Sequence, residues 1–121
     1  MNEYEMKIFG CIRVIDDVTD FITKVNIFGE KNGIEIQLFD ARLIFGKEHL
    51  QSAFEHAKRS FQRGESATHS LGMELLLYAS GERQITKAIK KMGIKKDLDR
   101  IVSVFIFPSN LNNNIDIIKD N

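Results

Sequence analysis

At 121 residues and 13.9 kDa the chain has the size of one domain. With 43% hydrophobic and 28% charged residues it is ordinary for a globular protein, not a disordered, collagen-like or disulfide-dense one. Seventeen basic residues balance seventeen acidic ones, no apolar run nears the roughly 18–20 residues of a membrane span, and the acidic residues 1–5 lack the blocks of a signal peptide. Cys11 is the single cysteine, so no internal disulfide forms and a cytoplasmic setting is expected.

Met6, Ile8, Ile12 and Val14 alternate with Lys7, Cys11 and Arg13, the period of a strand, interrupted at Phe9 and Gly10. Cys11 is expected to be a buried, inert thiol there. Asp16 and Asp17 offer N-caps to a helix whose apolar positions are Val18, Phe21, Ile22, Val25 and Phe28, with Gly29 placed for the C-cap. Lys31-Asn32-Gly33 reads as a turn, and residues 34–38 alternate as a half-buried strand.

After an irregular passage over 40–47, the stripe Leu50, Ala53, Phe54, Ala57 and Phe61 marks an amphipathic helix ended by Gly64. A polar loop (Ser66, Thr68, Ser70) leads to residues 71–78, apolar on most sides except at Glu74. Ser80-Gly81 interrupts that helix. Ile85, Ala88, Ile89 and Met92 define another, closed by Gly93. Residues 101–107 form a nearly continuous apolar run bounded by Pro108, the pattern of a central strand buried on both faces. Asn110 to Asn114 is low in complexity, and Ile115, Ile117 and Ile118 offer an edge strand or a loose end. The expected fold is one α/β (α+β) domain over 1–121, a small mixed sheet under packed helices in the order β-α-β-α-α-α-β, with a polar tail from about 109.

Charge is segregated: residues 1–41 carry four Lys/Arg against eight acids, and residues 42–96 carry eleven against five. Such a basic segment attracts polyanions or is a solvated helix surface. Catalytic machinery is not visible. Phe28-Gly29 and Phe45-Gly46 are isolated glycines, no nucleophile elbow occurs, and no cofactor or metal is expected. His49 and His56 share a helix face about 10 Å apart, too far for one zinc. Ser80 or Gly81 is expected to begin a helix, with Arg83 in its first turn and outward N–H groups able to hold a phosphate or carboxylate. Lys90, Lys91, Lys95 and Lys96 complement a helix C-terminus.

Two stretches, FDARLIFGKEHLQSAFEHAKRSFQRG (39–64) and SLGMELLLYASGERQITKAIKKMGI (70–94), followed by an apolar strand, resemble the small kinase-binding subunit of the KEOPS complex, the PRPK-binding protein family in its archaeal form. The resemblance spans 6–107 and is most specific in the run from Glu74 to Ile94. It implies a non-catalytic regulatory subunit that binds the atypical kinase/ATPase subunit and recruits tRNA through its 3′ CCA end for threonylcarbamoyl modification of the adenosine next to the anticodon. Carried onto this sequence, it proposes Arg42, Lys47, His49, Arg59, Ser80, Gly81, Arg83, Gln84 and Ile85 for RNA, with Tyr78 and Phe45 as the available stacking surfaces. For the kinase it proposes Leu75, Leu76, Ile85 and Ile89. The alternatives are a self-contained small-molecule or anion-binding regulatory domain built on Arg83, and an enzyme using His49 as acid–base.

Overall fold

The computed structural model describes residues 3–12 and 15–109. Asn110 to Asn114, the three terminal isoleucines, Arg13 and Val14 lie outside them. In chain order the elements are β1 (Tyr4–Ile12), α1 (Val18–Asn32), β2 (Glu35–Asp40), a 3₁₀ turn (Ala41–Leu43), α2 (Lys47–Gln62), α3 (Leu71–Ser80), α4 (Ile85–Met92) and β3 (Arg100–Pro108). The α+β architecture and element order are those expected. β3 lies between β1 and β2 and pairs antiparallel with both. The β1–α1–β2 unit is therefore split by the last strand.

The sheet has two unlike faces. Met6, Ile8, Phe39, Val102, Val104 and Ile106 point to the layer of α2, α3 and α4, whose Leu50, Ala57, Leu75, Leu76 and Ala88 are fully buried. On the other face Ile36, Leu38 and Ile101 meet Val18, Phe21 and Val25 of α1. Phe9 and Phe105 pack edge to face there at 4.9 Å. The central place of β3 accounts for its nearly continuous apolar run, since Ile101, Val104, Ile106 and Phe107 are each at most 2% exposed.

Several boundaries differ from expectation for physical reasons. Asp17 caps α1 by accepting from Asp20 N–H at 2.9 Å, but the helix runs past Gly29 to Asn32 and ends at Gly33, whose φ of 69° is left-handed. Gly29 serves close approach instead: a Cβ there would lie 2.8 Å from the Ile34 carbonyl oxygen. Cys11 is exposed, not buried, because β1 is an edge strand that extends beyond its helical cover; Ile12 beside it is 83% exposed. Glu74, the polar interruption of α3, is 2% exposed. Its carboxylate accepts from Ala67 N–H, Thr68 N–H and the Thr68 hydroxyl, so it pins the α2–α3 loop to the core.

Candidate functional site

The largest correction falls at Ser80-Gly81. These residues do not begin a helix; they end α3, with Gly81 (φ 73°) as the left-handed cap donating to the Leu77 carbonyl. The backbone there presents carbonyls, and cations or donors already meet them. Lys91 Nζ reaches the Ser80 carbonyl at 2.8 Å, and His49 Nε2 meets the Ala79 carbonyl at 2.9 Å. Phe45 N–H donates to His49 Nδ1 at 3.1 Å, which places the ring proton on Nε2. Both nitrogens of His49 are thus engaged, Nε2 joining α2 to α3 and Nδ1 holding the loop before α2, which leaves neither for a base edge or a proton transfer.

α4 begins only at Ile85, with Gln84 as an N-cap that makes no side-chain hydrogen bond. The N–H groups of its first turn are the open helix start in this region, and exposed Arg83 lies one residue before the cap. The lysines at its far end divide their work. Lys95 Nζ donates to the carbonyls of Lys91 in α4 and of Gly93 just beyond it, whereas Lys91 caps α3.

Arg42 is held by a buried acid. Its Nε and Nη2 meet the Asp40 carboxylate at 3.0 and 2.7 Å, Asp40 also accepts the Arg42 N–H, and Lys95 Nζ stands 3.8 Å away. The Arg42 guanidinium hydrogen bonds hold the Asp40 carboxyl below its usual range, although burial pulls the other way. Asp40 in turn raises the pKa of Arg42. Lys47 opens α2, and Arg59 follows twelve residues later, about 18 Å along the helix. The nine positions proposed for RNA therefore occupy separate patches.

One patch gathers more chemistry than the sequence indicated. His56 of α2 stacks on Tyr78 of α3 with ring centroids 5.5 Å apart and planes within 19°. Arg59 Nη2 meets His56 Nδ1 at 3.1 Å, and the Tyr78 hydroxyl meets the Ser60 hydroxyl at 2.7 Å. Tyr78 is 43% exposed and also borders a depression of about 360 Å³ shared with Glu65, Gly81, Glu82 and Arg83. The 56/59 spacing was the available signal for the arginine–histidine contact. Phe45, 81% exposed, lies tilted against the His49 ring 5.6 Å away.

Leu75 and Leu76 are both at 0% exposure, so they build the core and present nothing to a partner. Ile85 is half-buried against that core, and Ile89 is 44% exposed. Ile89 lies along a shallow groove of about 130 Å³ between α1 and the α3–α4 pair, together with Ile22, Asn26 and Met73. Ile22 and Met73 are the apolar positions there that sequence reasoning had given to the core or left unassigned. Among the described residues no cluster of His, Cys, Asp and Glu fits a metal ion, and no helix is long and apolar enough to cross a membrane.

The profile of a family described as "Kinase binding protein CGI-121" matches residues 15–121. A relative from Methanocaldococcus jannaschii, described as "Regulatory protein Cgi121", is 36% identical over 63 residues. That alignment covers 52% of this chain and 41% of the relative, so the chain spans less than half of that protein's length.

Proposed function

The chain belongs to the kinase-binding protein CGI-121 family, and on that premise we propose that it is a cytoplasmic, non-catalytic KEOPS subunit with two surfaces, one for the atypical kinase/ATPase subunit and one for the single-stranded 3′ CCA end of tRNA. The tRNA so recruited is the substrate for threonylcarbamoyl modification next to the anticodon, carried out by another subunit.

The observation that carries the RNA half is the stacked His56–Tyr78 pair beside Arg59, with the Tyr78 depression running to Arg83. Unpaired bases bind on aromatic faces, and neighbouring arginines neutralise their phosphates. Glu65 and Glu82 at the rim accept hydrogen bonds from exocyclic amino groups, which both cytosine and adenine carry. The first-turn N–H groups of α4 with Arg83 and Gln84 supply a further phosphate contact. Lys47 supplies a separate basic patch at the other end of α2, where Arg42 is paired with Asp40, and His49, Ser80 and Gly81 shape the α2–α3 junction through their structural bonds. For the kinase the surface is the α1–α4 groove with Ile22 and Ile89, while Ile85 packs against the core behind α4.

The test is binding of the purified chain to tRNA with and without its CCA end at two salt concentrations. The recruiter reading expects binding that requires the CCA, weakens with salt and falls several-fold in Tyr78→Ala and Arg83→Glu. Each lost phosphate contact lowers the salt slope by about 0.7. Equal binding of small anions with no preference for RNA would favour the self-contained anion-binding domain instead. Ile89→Asp should abolish kinase capture while leaving tRNA binding intact.

A further inference from the structure

Among the described residues the buried polar side chains are Asp40, Glu74 and Ser80, and the last two stand on either side of Tyr78 in α3. Each ties α3 to the chain just outside it. The Ser80 hydroxyl accepts from Glu82 N–H at 3.1 Å and donates to the Leu77 carbonyl. The Glu74 carboxylate accepts from Ala67 N–H at 3.2 Å, Thr68 N–H at 3.1 Å and the Thr68 hydroxyl at 2.6 Å. Glu74, Leu77, Tyr78 and Gly81 follow at the i, i+3, i+4, i+7 spacing of one helix stripe, and all four line the Tyr78 depression. Its two rims, Glu65 with Ala67 and Glu82 with Arg83, are thus tied to the helix between them, one through Glu74 and the other through Ser80.

The rims differ in charge. Residues 64–70 contain neither lysine nor arginine, and His69 among them lines another depression, with Tyr4 and Lys58. The groups suited to phosphates are Arg59, Arg83 and the first-turn N–H groups of α4. They belong to α2 and to the start of α4, outside the loop that Glu74 holds.

On the premise that this depression takes the tRNA end, we propose that Glu74 is a positioning residue for base selection. It holds the Glu65–Ala67 rim where the Glu65 carboxylate meets the amino groups of bases stacked on Tyr78. A carboxylate suits the task because three donors converge on it, and an amide, with one oxygen and an NH₂ group, satisfies only part of them. With the rim loosened, stacking on Tyr78 and phosphate neutralisation by the arginines survive, and discrimination among bases does not.

The affinities of the purified chain for two tRNAs of equal length, one ending in CCA and one in UUU, test this. Their phosphates are equal in number, and uracil carries no amino group. The wild type should prefer CCA. Glu74→Gln should lower that preference about fivefold, the worth of one hydrogen bond, with UUU binding and the salt slope unchanged. Charge alone predicts something else, since losing a carboxylate strengthens the binding of both RNAs. Thr68→Val removes only the hydroxyl donor, should lower the preference about twofold, and decides the matter where circular dichroism shows Glu74→Gln unfolded. A folded variant that keeps the full preference overturns the proposal, as does an equal fall in CCA and UUU binding, which marks a general loss of structure. A wild type that binds both tRNAs equally overturns it while leaving recruitment standing. A wild type that binds neither removes the recruiter reading itself, and base selection with it.

Discussion

The two layers on either side of the sheet are built to different standards. Leu50, Ala57, Leu75, Leu76 and Ala88 of α2, α3 and α4 are sealed against Phe39 and Val104. Across the sheet, Gly29 is the only residue of α1 that is buried, and Ile22, Ile27 and Phe28 remain 37–55% exposed. The first layer spends its apolar side chains on stability. The second keeps several at the surface, the kind of exposed apolar area that interaction sites offer.

Substitutions should separate the layers. Leu75→Ala removes a side chain at 0% exposure, and denaturant melts should show a loss of about 2–5 kcal/mol. Glu74→Ala leaves the Ala67 and Thr68 donors without their acceptor and should cost about 1–3 kcal/mol. The same change should accelerate hydrogen exchange in the 65–70 loop before it affects α1. At the weak end, Ile22→Ala should alter stability by no more than about 0.5–1 kcal/mol, yet reduce kinase capture. A large stability loss at Ile22 would show that the second layer is core after all.

Acid sharpens the comparison further, because the buried carboxylate of Asp40 joins the end of β2 to Arg42 and Lys95. Its folded pKa lies below the ordinary value. The stabilisation it confers is therefore complete above the unfolded value of about 3.9 and is lost as pH falls through the lower folded value. Acid titration of the wild type should show this component below about pH 4, and Asp40→Asn should lack it.

Periodicity made most of this architecture legible. The stripe from Leu50 to Phe61 and the apolar run of β3 carried enough repeats to define an element and its burial, whereas the alternation of β2 gave the strand but not the burial of consecutive Leu38, Phe39 and Asp40 on both its faces. What escaped were decisions made between elements. Ser80-Gly81 carries equal signals for a helix start and a helix end, and Lys91 and His49, distant in sequence, meet carbonyls and so identify an end. Cys11 looked buried because alternation reveals a strand but not its place at a sheet edge. The His56–Tyr78 stack joins positions on two helices that no local pattern connects. Arg42 and Arg59 read alike as surface cations, yet one is committed to Asp40 and the other stands beside a stacked ring pair.

The absence of a side chain at residue 29 has a consequence for how this sequence can drift. Neighbours such as Lys24, Asn26 and Glu30 face solvent and can vary with little effect on the fold. Position 29 is blocked by the Ile34 carbonyl, 2.8 Å from where even alanine would place its Cβ. A lineage that lost this glycine would first need a change near Gly33 or Ile34 that moves the entry of β2 aside. The order of those two steps is thereby fixed, so a single backbone contact acts as a ratchet on the history of the α1 layer.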